Sequence, residues 1–221
     1  MDIYSFIIGN KEIFKLIYAL IIIFVCFVIV LKTHRLFHLS AHPGIRYFRN
    51  AFFFYGIAFF IRYVLVLATG HVFLITPLFE FFIIMAGFFL LYSLIWKKIE
   101  GKEGSRSSLF SLRILIFYVM ALILVILDIS WSTLYLMFFS QIILFFIAAV
   151  ISCVNYKNRA KSNNFSGFYF IAMILMLAAW ILNSLTPTLF DWNPTALINI
   201  YLLNAIFFLV FLYGAVRITK Y

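Results

Sequence analysis

The sequence predicts an all-helical bundle of seven membrane-spanning helices, and three observations lead there. Apolar runs recur at about 20 residues, the length at which a helix crosses the hydrocarbon of a bilayer. Of the 221 residues 67% are hydrophobic and 11% charged, whereas a typical soluble domain carries roughly a quarter of charged residues. The basic residues gather at the ends of the apolar runs, and they do so at every second connection. A β-barrel needs apolar and polar residues in alternation, and these runs are apolar all round.

The first span, about residues 13–31, follows Asp2, Lys11, Glu12 and Lys15. It has no small-residue cleavage pattern, so it reads as a retained helix and not as a removed signal peptide. The first connection carries Lys32, Arg35, Arg46 and Arg49. Spans two and three, about 49–69 and 72–96, form a hairpin around Gly70. The third connection, KKIEGKEGSRSSLFSLR, is rich in Gly, Ser and charge and reads as a solvated linker. Spans four and five cover about 111–128 and 132–154, and Lys157, Arg159 and Lys161 follow them. Spans six and seven cover about 166–185 and 194–216, with Arg217 and Lys220 in the tail. The even connections, around residues 70, 128–131 and 185–194, contain no Lys or Arg. By the positive-inside rule the N-terminus is therefore outside a cell membrane and the C-terminus cytoplasmic. The sixth connection, NSLTPTLFDWNPT, is then the largest outer segment, with Trp192 at the interface. The sequon Asn164-Phe165-Ser166 falls inside and is not expected to carry a glycan. Residues 1–221 read as a single seven-helix transmembrane domain with no soluble domain.

The net charge of +10 follows from this topology, and no basic domain exists to bind nucleic acid. The expected partners are the lipid bilayer, anionic headgroups at the cytoplasmic loops, and a partner protein or second copy of the chain. Cys26 and Cys153 lie in apolar runs without CxxC spacing, so neither a disulfide framework nor a zinc site is expected. His34, His38 and His42 recur at helical spacing, but no carboxylate stands near them. They read as part of a basic juxtamembrane segment and not as a metal site. No cofactor is expected.

A shift of 119 residues lays span three on span seven. Thr76 falls on Thr195, Glu80 on Asn199, Ala86 on Ala205, and Phe88-Phe89-Leu90 on Phe207-Phe208-Leu209. Lys32-Thr33-His34-Arg35 resembles Tyr156-Lys157-Asn158-Arg159 at a slightly larger shift. Two three-helix halves joined by span four, a 3+1+3 pseudo-repeat, would give this pattern, and parallel repeats occur in some transporters.

The candidate site is an intramembrane polar cluster of Arg62, Glu80, Gln141, Asn199 and Asn204. Arg62 and Glu80 stand about 12 and 15 Å from Gly70 at a helical rise, on adjacent arms of one hairpin. An arginine inside a span costs several kcal/mol unless it is paired or reaches water. The two charges read either as a buried ion pair that fixes helix packing or as a ligand site facing a cavity. A protonated Glu80 would leave Arg62 in need of another acceptor. Gln141, Asn199 and Asn204 read as amides that bond between helices. Asn183 and Trp180 lie toward the outer end of span six, and Asp128 is expected to be solvated at the outer end of span four.

No GxSxG, HExxH or Gly-rich phosphate loop occurs, and residues 196–216 lack the lysine through which rhodopsins bind retinal. The stretch LKTHRLFHLSAHPGIRYFRNAFFFYGIAFFIRYV resembles the junction between the first two spans of seven-transmembrane sensor modules of prokaryotic membrane receptors. There a basic Arg-Leu-x-x-Leu-x-x-x-x-Gly segment leads into an aromatic helix, and Arg35, Leu36, Leu39 and Gly44 stand at those positions. The resemblance implies a sensor role, although in that family the helices usually carry a cytoplasmic kinase or regulatory domain that residues 1–221 lack. Two functions therefore stand. One is a non-enzymatic sensor-like or partner-binding module. The other is a small transporter with a polar site for a small, anionic solute, to which Arg62 would be suited.

Overall fold

A computed structural model describes residues 10–40, 43–100, 112–131, 134–159, 164–189 and 194–218. Among them every regular element is helical, and seven helices are long and apolar enough to cross a membrane. These are α1 (Lys11–Ser40), α2 (residues 43–69), α3 (Val72–Glu100), α4 (Leu112–Trp131), α5 (Tyr135–Arg159), α6 (Asn164–Leu189) and α7 (Pro194–Ile218). His42, Trp192 and residues 101–111 of the third connection lie outside the described residues.

Several helices run past the apolar stretches that predict them. α1 continues to Ser40 and α2 already begins at Pro43, so Lys32, Arg35, Arg46 and Arg49 sit on helices and not in a loop. Leaving the helix would expose backbone groups near the bilayer. Staying helical satisfies them, while Arg46 lies over the Phe37 and Tyr47 rings and Arg49 meets His34.

The hairpin at Gly70 forms as its sequence suggests. Gly70 adopts φ 71°, the left-handed conformation a helix stop requires, and its N–H donates to Val66 O at 2.8 Å. Its first arm is not uniform. α2 is α-helical over Pro43–Phe59, π-helical over Phe60–Leu65 and α-helical again over Val66–Thr69. A π-helical segment is rare and occurs frequently at functional sites, and Arg62 lies within this one.

Six helices close into a ring. α1 packs on α2, α2 on α3, α3 on α5, α5 on α6, α6 on α7, and α7 returns to α1. α4 stands outside the ring against α3 and α5. Large apolar side chains such as Phe24, Leu67, Phe73, Ile126 and Phe139 face outward, as lipid contact requires. Within the ring, Phe52 of α2 meets Phe208 and Phe211 of α7 at ring-centroid distances of 6.2 and 5.2 Å, and Phe48 reaches Phe211 at 6.3 Å. This aromatic plug fills the half of the bundle nearer the basic ends of α1 and α2.

Candidate functional site

The opposite half of the ring is hollow. A cavity of ≈ 160 Å³ lies where α1, α3, α5 and α7 begin and α2 and α6 end, the end opposite the basic residues. Its walls are mainly aromatic, including Tyr18, Tyr55, Phe59, Trp180, Tyr201 and Phe208. Tyr18 and Tyr201 stack with centroids 4.7 Å apart and hold α1 against α7. Tyr55 is 1% exposed; its hydroxyl lies beside the Trp180 indole and meets no hydrogen-bond partner in good geometry among the described residues.

Polar groups enter this apolar wall at two places. On α2, Arg62 donates from Nη1 to Thr76 Oγ1 at 3.2 Å, and its guanidinium lies 5.6 Å from the centroid of the Phe79 ring. On α6 and α7, Asn183 and Asn204 exchange amide hydrogen bonds of 3.4 and 3.3 Å. These amides span two helices and satisfy each other, as buried polar groups must in hydrocarbon. Arg62 is less fully satisfied: a guanidinium has five N–H donors, and one side-chain acceptor meets it among the described residues.

The expected ion pair between Arg62 and Glu80 does not form. Among the described residues the ion pair is Lys15–Glu12, at 2.9 Å on the exposed start of α1. The reason is register. Arg62 faces Thr76 across the hairpin, and Glu80 lies four residues further along α3, about 6 Å deeper at a helical rise. Counting outward from Gly70 misses this because α2 is π-helical at that level, where the rise and phase of an α-helix do not apply.

Glu80 is 2% exposed, and its Oε2 has no hydrogen-bond partner among the described residues. It lies behind the cavity wall, on the same helix as the lining residues Phe79 and Ile83, and senses the charges of both Asp128 and Arg62. Gln141 of α5 is fully buried and donates from Nε2 to Ile83 O at 3.3 Å. Gly87 makes room for it, since a Cβ at that position would stand 2.7 Å from Gln141 Oε1. Of the five residues in the predicted cluster, the cavity wall thus receives Arg62 and Asn204. Glu80 and Gln141 lie buried outside that wall on the α3–α5 side, and Asn199 is exposed on α7. Five residues turn a helix by about 140° past a full circle, so Asn199 and Asn204 cannot share a face.

Asp128 is not solvated. It is 1% exposed and accepts from the N–H groups of Leu136 at 3.0 Å and Met137 at 2.8 Å. The first amides of α5 have no acceptor within their own helix, and Leu134 just before them has no side-chain acceptor. The carboxylate of the preceding helix fills that role. His34 is also engaged: Arg49 Nη1 lies 2.8 Å from its Nδ1.

The tyrosines are what the sequence reading missed. Tyr18, Tyr55, Tyr63 and Tyr201 stand well inside the spans and not at their ends, where an aromatic belt would put them. That displacement was the available signal, and 30 phenylalanines obscure it.

Seven helices long and apolar enough to cross a membrane mark a membrane protein, and six of them surround a mainly aromatic cavity with Arg62 on its wall. The chain is similar to an uncharacterised protein of Archaeoglobus fulgidus, with 26% identity over an alignment of 221 positions that covers 91% of this chain and 90% of the relative. No family model matches the chain, and no solved structure matches it.

Proposed function

We propose that the chain is a non-enzymatic membrane module that binds a small anionic solute in the cavity and works as a sensor-like or partner-coupled element. One observation carries this reading. Arg62 is a charge inside a span, it has no ion-pair partner among the described residues, and it stands on the wall of an aromatic cavity. Charges at membrane depth are functional more often than structural. The plug of Phe52, Phe208 and Phe211 on the basic side favours binding without passage. Partner proteins or a second copy, and anionic headgroups at Lys32 and Arg35, complete the reading.

Transport of the same solute is a second reading. A closed ring of six helices with α4 outside it supports the 3+1+3 arrangement, and sites between repeated halves occur in transporters. Uptake by proteoliposomes divides the two. Retention of labelled solute equal to the bound amount supports the sensor-like module, and accumulation beyond the bound amount supports transport. In either case Arg62→Gln abolishes the effect; a variant that behaves as wild type would sink both readings.

The cavity faces outside in this proposal, with the N-terminus external and the C-terminus cytoplasmic. Reporter fusions to residues 101–111 and to the C-terminus should read cytoplasmic, and fusions to residues 190–193 external. An external C-terminus would overturn the orientation.

A further inference from the structure

The chemistry of the cavity narrows its solute further. We infer that the occupant is a monocarboxylate whose apolar body is no larger than a single six-membered ring, which rests on the reading of the cavity as an anion site.

Size comes first. An engineered cavity of about 150 Å³ accepts benzene, and drug-sized ligands need roughly 300 Å³ or more. At ≈ 160 Å³ this cavity suits one ring or a short branched chain. Charge comes next. One guanidinium supplies one positive charge, and its planar fork fits the two oxygens of a carboxylate. A sulfate or a doubly charged phosphate would keep an uncompensated charge between aromatic walls, and the carboxyls of Glu80 and Asp128 on the α3–α4 side add to that cost. The apolar body has its own partners in Phe59, Trp180 and Phe208. Flat rings of this kind favour a planar or compact body through stacked and edge contacts. The buried hydroxyl of Tyr55, which meets no partner in good geometry among the described residues, is a second and independent pointer, because it offers one further hydrogen bond to whatever fills the space.

The test is a titration series on the full chain in nanodiscs. Benzoate and cyclohexanecarboxylate should bind about tenfold or more tightly than benzamide, which has the same shape and no charge. Naphthoate and decanoate should bind at least about tenfold more weakly than benzoate because the space is too small, and sulfate and phosphate should show no saturable binding. Arg62→Gln should reduce benzoate to the benzamide level, and the benzoate–benzamide comparison keeps its force on the wild type even where that variant does not fold. Sulfate, naphthoate or decanoate bound as tightly as benzoate through Arg62 would overturn the monocarboxylate inference and leave the anion site standing. Absence of any Arg62-dependent anion binding would overturn both.

Discussion

Asp128→Ala should be among the most destabilising single substitutions in the chain. The carboxylate is buried at the start of α5 and holds the amides of Leu136 and Met137. Hydrogen bonds to a charged group contribute about 1.5–3 kcal/mol each, and at 1% exposure the site leaves little room for water to replace them. A net loss of about 3–4 kcal/mol is expected for the alanine. Asp128→Asn keeps one carbonyl acceptor and should lose about half as much. Thermal unfolding in detergent measures both. A loss below about 1 kcal/mol for the alanine would mean that α5 does not depend on this cap.

Arg62→Leu should separate stability from binding. If Arg62 belonged to a buried ion pair, its removal would strand a charge and cost about 3–5 kcal/mol. The structure gives it instead one hydroxyl acceptor and one aromatic ring. Those contacts contribute about 1 kcal/mol each, while an arginine within a span is itself unfavourable by about 2.5–3.5 kcal/mol on insertion scales. The terms nearly cancel, so stability should stay within about 1 kcal/mol of wild type while anion binding falls at least about tenfold. A loss of about 3 kcal/mol or more would restore the ion-pair account. Such a residue is kept at no gain in stability, which is the pattern of a functional group.

The seven helices were legible because membrane spanning imposes length and apolarity on each segment separately. Gly70 was legible for a local reason as well, since a glycine between two apolar runs is the ordinary stop of a helix. The cavity was only half legible. A lone charge in a span announces itself, so Arg62 stood out, but its partner depended on a register that the π-helical segment Phe60–Leu65 alters. Nothing in the residue pattern of α2 foretells that segment. Asp128 was misjudged because its partners are backbone amides eight and nine residues on, and backbone donors leave no mark in a sequence. Asn199 was admitted by its depth, which takes no account of the helix face on which it lies.

The central claim is that a carboxylate meets Arg62 inside the cavity. Solid-state NMR measures that contact directly, as the distance between the labelled carboxyl carbon of benzoate and labelled guanidinium groups of the protein in lipid. The account predicts a close contact of about 4 Å that is present in the wild type and absent in Arg62→Lys. A contact that persists in Arg62→Lys, as binding at Arg46 or Arg49 on the basic face would produce, contradicts it.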